Sequence, residues 1–320
     1  MFSGKPSKVV VVEDTDWGIP ENWFFVGDIH GDFFALHQTL QKIEKMCPDF
    51  RLVFLGDMID RGLYSAECFL LLVSWAEQYP GRIAWIAGNH DIGLYFDDVE
   101  AKFKSSVSPS EMLNYLNEEG DHRNERFMIG KLLTELAKHL PRAILFPDGL
   151  LATHGGFPLV DIHEEGAQKT TREDYLAWLN SDACLQDFTW TRITKYRKKL
   201  PNRMSTGCSY GYLDFEAFCN LKPDYFPVKR MITGHEHPEN GWMEFADYKM
   251  NPALTITGFG YDPYFNGDAD MPPYRSSLLA ARYRRDALPE RIEVGYSIDE
   301  LKQFYPVTKQ NTEENQDASA

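Results

Sequence analysis

This chain of 320 residues has no net positive charge, few cysteines and no long apolar run. The formal net charge of −15 argues against a nucleic-acid groove or an anionic membrane surface as the main partner. The five cysteines show no CxxC spacing, so we expect neither a disulfide framework nor a thiolate metal site. The longest apolar stretch, Cys68 to Val73, falls far short of the roughly 20 residues that span a membrane. The first residues do not show the series of basic, apolar and small residues that is typical of a secretory signal. The sequence therefore predicts a soluble cytoplasmic protein in a reducing compartment.

The length allows one large domain or two small ones, and 43% of the residues are hydrophobic, which is ample for a core. We expect a single domain over residues 1–305, because the candidate loops described next must meet in one site. Residues 306–320 are polar and contain no aromatic residue, so we expect a disordered tail there.

A glycine-flanked turn, Gly27–Asp32, directly follows the apolar run Trp23–Val26. Asp28 and His30 in this turn can both point at one spot above a sheet, and their oxygen and nitrogen donors suit zinc, iron or manganese. The alternative is an ordinary turn between a strand and a helix, capped by Asp32.

Four more apolar runs end in the same kind of turn, which raises the weight of the metal interpretation. The turns are Gly56–Gly62, Gly88–Asp91, His154–Gly156 and Gly234–His237. Five of the nine histidines lie in the five turns, a concentration that scattered structural histidines would not show. All potential ligands follow strands, at the sheet edge where open α/β folds hold their sites.

The first three turns recur at the spacing of βαβ units, with predicted helices over Phe33–Met46 and Tyr64–Tyr79 between them. Residues 92–141 are predicted to be helical apart from connections, as are most of residues 157–187. An N-terminal strand, Val9–Val12, is expected at a sheet edge. Three later strands are expected to complete a second, antiparallel-rich sheet: Thr255–Thr257, Ser276–Tyr283 and Arg291–Tyr296.

The candidate ligands divide into two metal sites that share one carboxylate. Asp28, His30 and Asp57 form the first set, and Asp57, Asn89, His154 and His235 form the second. His237 can reach back to the first metal. Two divalent transition metals about 3.5 to 4 Å apart can hold a bridging hydroxide, which is a nucleophile for phosphorus. Because Asn89 is a neutral donor, the site keeps the positive character that attracts a phosphate. We expect manganese, with iron or zinc as alternatives.

Three further residues are candidates for substrate binding and proton transfer. Arg61 offers a planar fork of donors that matches phosphate oxygens. His90 follows a candidate ligand and can protonate the leaving group, with Asp60 orienting the imidazole and raising its pKa. A structural salt bridge between Asp60 and Arg61 is the alternative interpretation.

The ordered motifs GDIHG, GDMIDRG, GNHD, HGG and GHEH resemble the metallophosphoesterase superfamily over about residues 23–240. The intact DRG resembles the serine/threonine phosphoprotein phosphatase family within it. This resemblance implies an α/β fold, a calcineurin-like β-sandwich flanked by helices with a two-metal site at one end. It also implies phosphate contact by Arg61, a general-acid pair of His90 and Asp60, and the six metal ligands Asp28, His30, Asp57, Asn89, His154 and His235. Arg192 resembles a second phosphate arginine of bacterial members.

The sequence differs from the family pattern in three places, and these differences leave the identity of the substrate open. GNHD replaces the usual eukaryotic GNHE and resembles the bacterial diadenosine tetraphosphatases, which usually lack the aspartate that Asp60 supplies. GHEH carries an additional histidine, His237, and Gly258–Asp262 replaces a loop that shapes substrate binding in eukaryotic relatives. The basic run Lys195–Lys199 is either a solvated surface or a rim that attracts an acidic or phosphorylated partner.

The favoured function is hydrolysis of phosphomonoesters by a protein phosphatase, with a phosphorylated protein or a small phosphoester as substrate and neither nucleic acid nor membrane as partner. A dinucleoside polyphosphate or nucleotide hydrolase would use the same metals but would need a base-stacking pocket. A scaffold with a vestigial site would be expected to have lost ligands, and none is missing.

Overall fold

The computed structural model describes residues 7–159, 169, 171–202, 206–221, 226–261, 274, 275, 277–295 and 297–305. Two β-sheets form the centre of this fold. The five-stranded sheet contains, in spatial order, Glu290–Glu293 (β16), Leu279–Arg282 (β15), Trp23–Val26 (β2), Arg51–Phe54 (β3) and Ile83–Trp85 (β4). Strands β2, β3 and β4 run parallel, whereas β15 and β16 are antiparallel additions.

The second sheet has six strands and a mixed topology. Its spatial order is Val9–Val11 (β1), Ala143–Leu145 (β7), Leu150–Thr153 (β8), Arg230–Thr233 (β12), Ala253–Ile256 (β14) and Trp242–Glu244 (β13). Strands β8, β12 and β14 run parallel in the middle of the sheet. The expected position of the N-terminal strand at a sheet edge is confirmed.

Helices cover the outer face of each sheet. The helices beside the five-stranded sheet are Phe33–Met46 (α2), Ser65–Gln78 (α3), Glu111–Asn117 (α5) and Arg123–His139 (α6). Those beside the six-stranded sheet are Arg172–Leu179 (α7), Asp182–Trp190 (α8) and Tyr212–Cys219 (α9). Shorter helices are Asp14–Trp17 (α1), Asn89–Gly93 (α4) and Ile298–Phe304 (α10), with a 3₁₀ turn at Pro20–Asn22. Two small β units are the hairpin Leu94–Asp97 (β5) with Lys102–Ser105 (β6), and the three-stranded sheet of Arg192–Ile193 (β9), Leu200–Pro201 (β10) and Cys208–Tyr210 (β11).

Alternating side chains along the strands build the layers. On β2, the buried Phe24 packs toward α2 and α3, whereas Phe25 packs between the sheets against residues such as Ile232 and Leu254. Val53 on β3 shares this inner layer. A strand that is buried on both faces has a continuous run of apolar residues. This explains the sequence WFFV of β2 and the residues LVF that follow Arg51 in β3. The predicted α/β sandwich flanked by helices is therefore confirmed.

Two structural expectations are corrected. The expected helical stretch of residues 92–141 contains the β5–β6 hairpin, where Phe96 and Phe103 face each other across the strands with ring centroids 5.0 Å apart. The expected second antiparallel-rich sheet does not collect the late strands: β14 lies parallel to β12 in the six-stranded sheet, and β15 and β16 extend the sheet of β2.

Several smaller expectations have simple outcomes. The predicted helices Phe33–Met46 and Tyr64–Tyr79 are confirmed, the second as Ser65–Gln78. None of the five cysteines, all of them described, forms a disulfide. No helix in the described ranges is long and apolar enough to cross a membrane. The single domain over residues 1–305 stays a prediction, and the expected tail, residues 306–320, lies outside the described residues.

Candidate active site

The candidate ligands lie where strands from both sheets end. Because β2, β3 and β4 are parallel and in register, the turns that follow them emerge at one edge. The turns after β8 and β12 emerge beside them from the second sheet, and Asp28 forms a bridge to Thr257 beyond β14. The structure thus brings all five predicted turns together.

Three overlapping groups of acidic and histidine side chains could each hold a cation. Within each group the candidate ligand atoms lie within 4.8 Å of one another. The groups are Asp28, His30 and His237; His30, Asp57 and His90; and Asp57, His154 and His235. Asp57 belongs to two of them, which is the geometry that a bridging carboxylate needs. Asn89 adjoins the third group, with its Oδ1 3.0 Å from Nε2 of His154.

Asp28 connects the two sheets at the site. Its Oδ1 accepts a hydrogen bond from the backbone N–H of His235 at 3.0 Å, and its Oδ2 lies 2.9 Å from Nε2 of His237. His237 therefore lies beside the first predicted ligand set, as expected from the sequence. The backbone contact fixes the turn after β12 against the turn after β2.

Two buried histidines have one ring nitrogen anchored and the other directed into the site. Nδ1 of His30 lies 2.9 Å from the carbonyl oxygen of Ile59, and Nδ1 of His154 lies 2.8 Å from that of Leu55. Donation from Nδ1 to a carbonyl is the usual arrangement for a metal-ligating histidine, because it leaves Nε2 with a free lone pair.

Unsatisfied nitrogens give a direct test of whether the site fits a cation. Nε2 of His30 and Nε2 of His235 are buried and have no hydrogen-bond partner among the described residues. A buried polar atom without a partner costs about 1–3 kcal/mol, and a metal ion would remove this penalty. The donor set, imidazole nitrogens with carboxylate and amide oxygens, suits divalent transition metals. The residues present fit such ions.

Burial and the neighbouring carboxylates control the charge of these histidines. Burial holds the pKa of His30 and of His235 well below the usual range, so both are neutral and can ligate. Burial also lowers the pKa of His154, but the adjacent Asp57 carboxylate outweighs it and raises that pKa to about 9. A cation bound by Asp57 and His154 would take the place of this proton.

The two side chains predicted as an acid pair, His90 and Asp60, lie in contact. Nδ1 of His90 lies 2.8 Å from Oδ2 of Asp60, and both side chains are buried. The other Asp60 oxygen accepts the backbone N–H of Met112 at 3.0 Å. Burial lowers the pKa of His90, but Asp57 and Asp60 raise it above its ordinary value, while burial raises the pKa of Asp60. The carboxylates of Asp57 and Asp60 thus favour the protonated form of His90.

Both predicted arginines border the site. The positive charge of Arg61 lowers the pKa of His30 and of His90, so its guanidinium lies close to the ligand groups. Arg192 Nη1 is 3.2 Å from the carbonyl oxygen of His235 and 3.1 Å from Oε1 of Glu236. Arg61 thus follows β3 of the five-stranded sheet, whereas Arg192 lies on β9 of the small three-stranded sheet.

The turns hold their side chains at a cost in backbone strain. Five of the seven non-glycine residues with positive φ in the described ranges are candidate site residues: His30, Asp57, Asp60, Arg61 and His235. Such conformations are uncommon outside glycine and cluster at functional sites. Gly88 is required for a different reason, since a Cβ there would collide with the Asp57 carboxylate.

Asp91 is the main residue to which the sequence assigned no role. Its two buried oxygens accept the backbone N–H groups of Asp57 (2.9 Å), Met58 (3.0 Å) and Gly88 (2.8 Å), and the indole N–H of Trp85 (3.2 Å). One carboxylate thus fixes the turns after β3 and β4 relative to each other. Three of its four partners are backbone N–H groups, which leave no mark in the sequence.

Asp32 and Phe259 also support the site. Asp32 caps α2 through the backbone N–H of Ala35, as the capping alternative foresaw, and it additionally accepts the N–H groups of Gly260 and Tyr261. The ring of Phe259 lies 5.5 Å from that of His30. The loop that the sequence marked as divergent thus lies against a ligand histidine, although Asp262 at its end falls outside the described residues.

Known proteins resemble this chain in sequence and in fold. A curated relative, serine/threonine-protein phosphatase C23G10.1 of Caenorhabditis elegans, is 23% identical over 225 residues, or 70% of this chain. The chain spans only 45% of that relative's length. A Saccharomyces cerevisiae protein serine/threonine phosphatase with similarity to human PP5 superposes with a TM-score of 0.59 and 19% identity, covering 92% of this chain and 86% of that one.

A diadenosine tetraphosphatase-like structure is more distant, with a TM-score of 0.44 and 16% identity over 90% of this chain and 98% of that one. The profile of the calcineurin-like phosphoesterase family matches residues 24–239, which include every turn of the candidate site. The chain belongs to the calcineurin-like phosphoesterase family of metallophosphoesterases and resembles the serine/threonine phosphoprotein phosphatases within it.

Proposed function

We propose that this chain is a serine/threonine protein phosphatase that hydrolyses phosphomonoesters with two divalent metal ions. The observation that carries the proposal is the 2.8 Å contact between His90 and Asp60, which joins the acid candidate to the ligand group of His30 and Asp57. A serine or threonine alkoxide is a poor leaving group and needs a proton, so an oriented general acid is required for this substrate class. The diadenosine tetraphosphatases usually lack the aspartate of this pair.

We assign the metal ions to the predicted ligands, with Asp57 shared between them. Asp28, His30 and His237 would hold one ion, and Asn89, His154 and His235 the other. When bound, two such ions would lower the pKa of water and so supply the nucleophile at neutral pH. We propose manganese as the metal, since the mixed oxygen and nitrogen donors accept it readily.

The chain's own residues would carry the remaining steps. Arg61 and Arg192 would hold the phosphate oxygens and keep the ester bond in line with the incoming nucleophile. His90 would give its Nε2 proton to the departing serine or threonine oxygen as the P–O bond breaks, while Nδ1 stays bonded to Asp60. The protein would then return to its resting state by taking up one proton from water.

The named activity of the Caenorhabditis elegans relative supports this proposal, although that protein is about twice as long as the matched region. The decisive experiment compares purified, manganese-loaded protein on three substrates: a phosphoserine or phosphothreonine peptide, p-nitrophenyl phosphate and diadenosine tetraphosphate. We expect hydrolysis of the first two. Cleavage of diadenosine tetraphosphate alone, with no release of phosphate from peptides, would contradict the proposal.

A further inference from the structure

The basic run between β9 and β10, which we call the basic segment, stands out on an acidic protein. Four of the five residues Lys195–Lys199 are cationic, whereas the whole chain carries a net charge of −15. The segment begins three residues after Arg192. Its charge has no part in the chemistry assigned above.

Backbone hydrogen bonds hold the basic segment in a defined shape. The N–H of Thr194 donates to the carbonyl of Tyr210 at 3.0 Å, and the N–H groups of Tyr212 and Leu213 donate to the carbonyls of Tyr196 (3.2 Å) and Arg197 (3.0 Å). These contacts join the segment to β11 and to the start of α9. A backbone fixed at several points presents its charges with little further loss of entropy on binding.

The side chains of the basic segment are exposed. None of its four cations forms an ion pair within the described part of the chain. Some cations elsewhere on the surface are paired: Lys104 pairs with Asp97 at 2.7 Å and Arg126 with Glu118 at 2.7 Å. The carboxylate of Asp214 accepts the N–H of Gly211 at the start of α9. Among the described residues the segment is thus a positive surface without ion pairs.

This surface lies within peptide reach of the catalytic centre. Arg192 Nη1 is 3.2 Å from the carbonyl oxygen of His235. Because each residue spans at most about 3.6 Å, Lys195 lies within about 11 Å of Arg192 and Lys199 within about 25 Å. An extended substrate with its phosphate held at Arg192 can therefore bring flanking residues over the basic segment.

We propose that the basic segment selects phosphoprotein substrates that carry aspartate or glutamate residues beside the phosphorylated position. This inference rests on the proposed protein phosphatase activity and names its substrate class. Exposed cations at the rim of a cleft raise the local concentration of an anionic peptide and its association rate, typically by 10- to 1,000-fold at low salt. Basic flanking residues would be repelled.

The test uses manganese-loaded full-length protein and peptides that share one phosphoserine core. Three Asp, three Asn or three Lys residues flank the core on either side, and p-nitrophenyl phosphate serves as a substrate without flanks. We expect kcat/KM for the Asp peptide to exceed that for the Asn peptide by about tenfold at 10 mM salt. The ratio should approach one at 1 M salt, where the Debye length shrinks to about 3 Å.

A matched pair of variants separates local from global charge. The test variant removes the segment's four charges: K195Q, R197Q, K198Q and K199Q. The control removes four exposed charges from α2 and α6: K42Q, K45Q, R123Q and K131Q. We expect the test variant alone to lose the preference for Asp peptides, with p-nitrophenyl phosphate turnover unchanged in both.

Each outcome has one meaning. Equal kcat/KM for Asp and Asn peptides in the parent protein, or an equal loss of preference in both variants, would overturn the inference and leave the phosphatase proposal intact. No release of phosphate from any peptide, with p-nitrophenyl phosphate still cleaved, would instead refute the proposed function itself. Circular dichroism of the variants excludes loss of folding as the cause.

Discussion

Replacement of Asp91 tests whether one buried carboxylate holds two turns of the active site in register. Its Oδ2 accepts three N–H groups, from Asp57, Gly88 and Trp85, and its Oδ1 accepts one, from Met58. Alanine at this position would leave all four donors without an acceptor. Asparagine would keep an acceptor at the Oδ2 position but would present an amide N–H₂ to Met58.

The magnitudes follow from counting these donors. Each buried donor without a partner costs about 1–3 kcal/mol, so Asp91→Ala should reduce the free energy of unfolding by about 4 kcal/mol or more. Asp91→Asn should cost about 1–3 kcal/mol, because it disturbs one contact. Since domains are stable by only about 5–15 kcal/mol, the alanine variant should be close to unfolding.

Urea denaturation of the metal-free protein, monitored by tryptophan fluorescence, measures the free energy of unfolding of both variants. Asp91→Glu is the matched control because it retains two carboxylate oxygens, and we expect it to recover part of the lost stability and manganese binding. An Asp91→Ala variant with the stability and manganese affinity of the parent would refute the role assigned to this residue.

Four other substitutions test separate parts of the fold and mechanism. His90→Asn should slow phosphoserine peptide hydrolysis by about 10²- to 10⁴-fold but affect p-nitrophenyl phosphate far less, and equal losses on both substrates would remove the general-acid assignment. Asp60→Asn should show the same leaving-group dependence in milder form. Arg192→Gln should lower kcat/KM by about tenfold or more, because it removes a charged hydrogen-bond donor, while the number of bound metals stays unchanged. Phe25→Ala should cost about 3–5 kcal/mol in urea denaturation, since Phe25 is fully buried between the sheets.

The sequence predicted that the five candidate turns would converge, because this convergence depends on residues close together in the chain. Each candidate ligand lies within a few residues of the end of a strand, and the carboxyl ends of parallel strands lie at the same edge of a sheet. The same reasoning foresaw that Asp60 would orient His90, and these side chains lie 2.8 Å apart. The ligand roles themselves stay predictions until metal binding is measured.

The sequence was less informative where tertiary contacts decide the structure. The strands β5 and β6 have four residues each, too few for periodicity to distinguish them from a helix. The destination of β14 depends on its pairing with β12, a choice among sheets that the run Ala253–Ile256 does not encode. Asp91 acts through backbone N–H groups of distant turns, so its role became visible only in the fold.

Metal titration of the metal-free protein tests the central claim, a two-metal centre with Asp57 shared between the ions. Elemental analysis and calorimetry with manganese should find two ions per chain in the parent protein. Asp57→Asn should weaken both ions together, because Asp57 belongs to two ligand groups, whereas His235→Ala should weaken one, since His235 belongs to a single group. Finding no bound manganese in the parent, or the same single-site loss in both variants, would contradict the account.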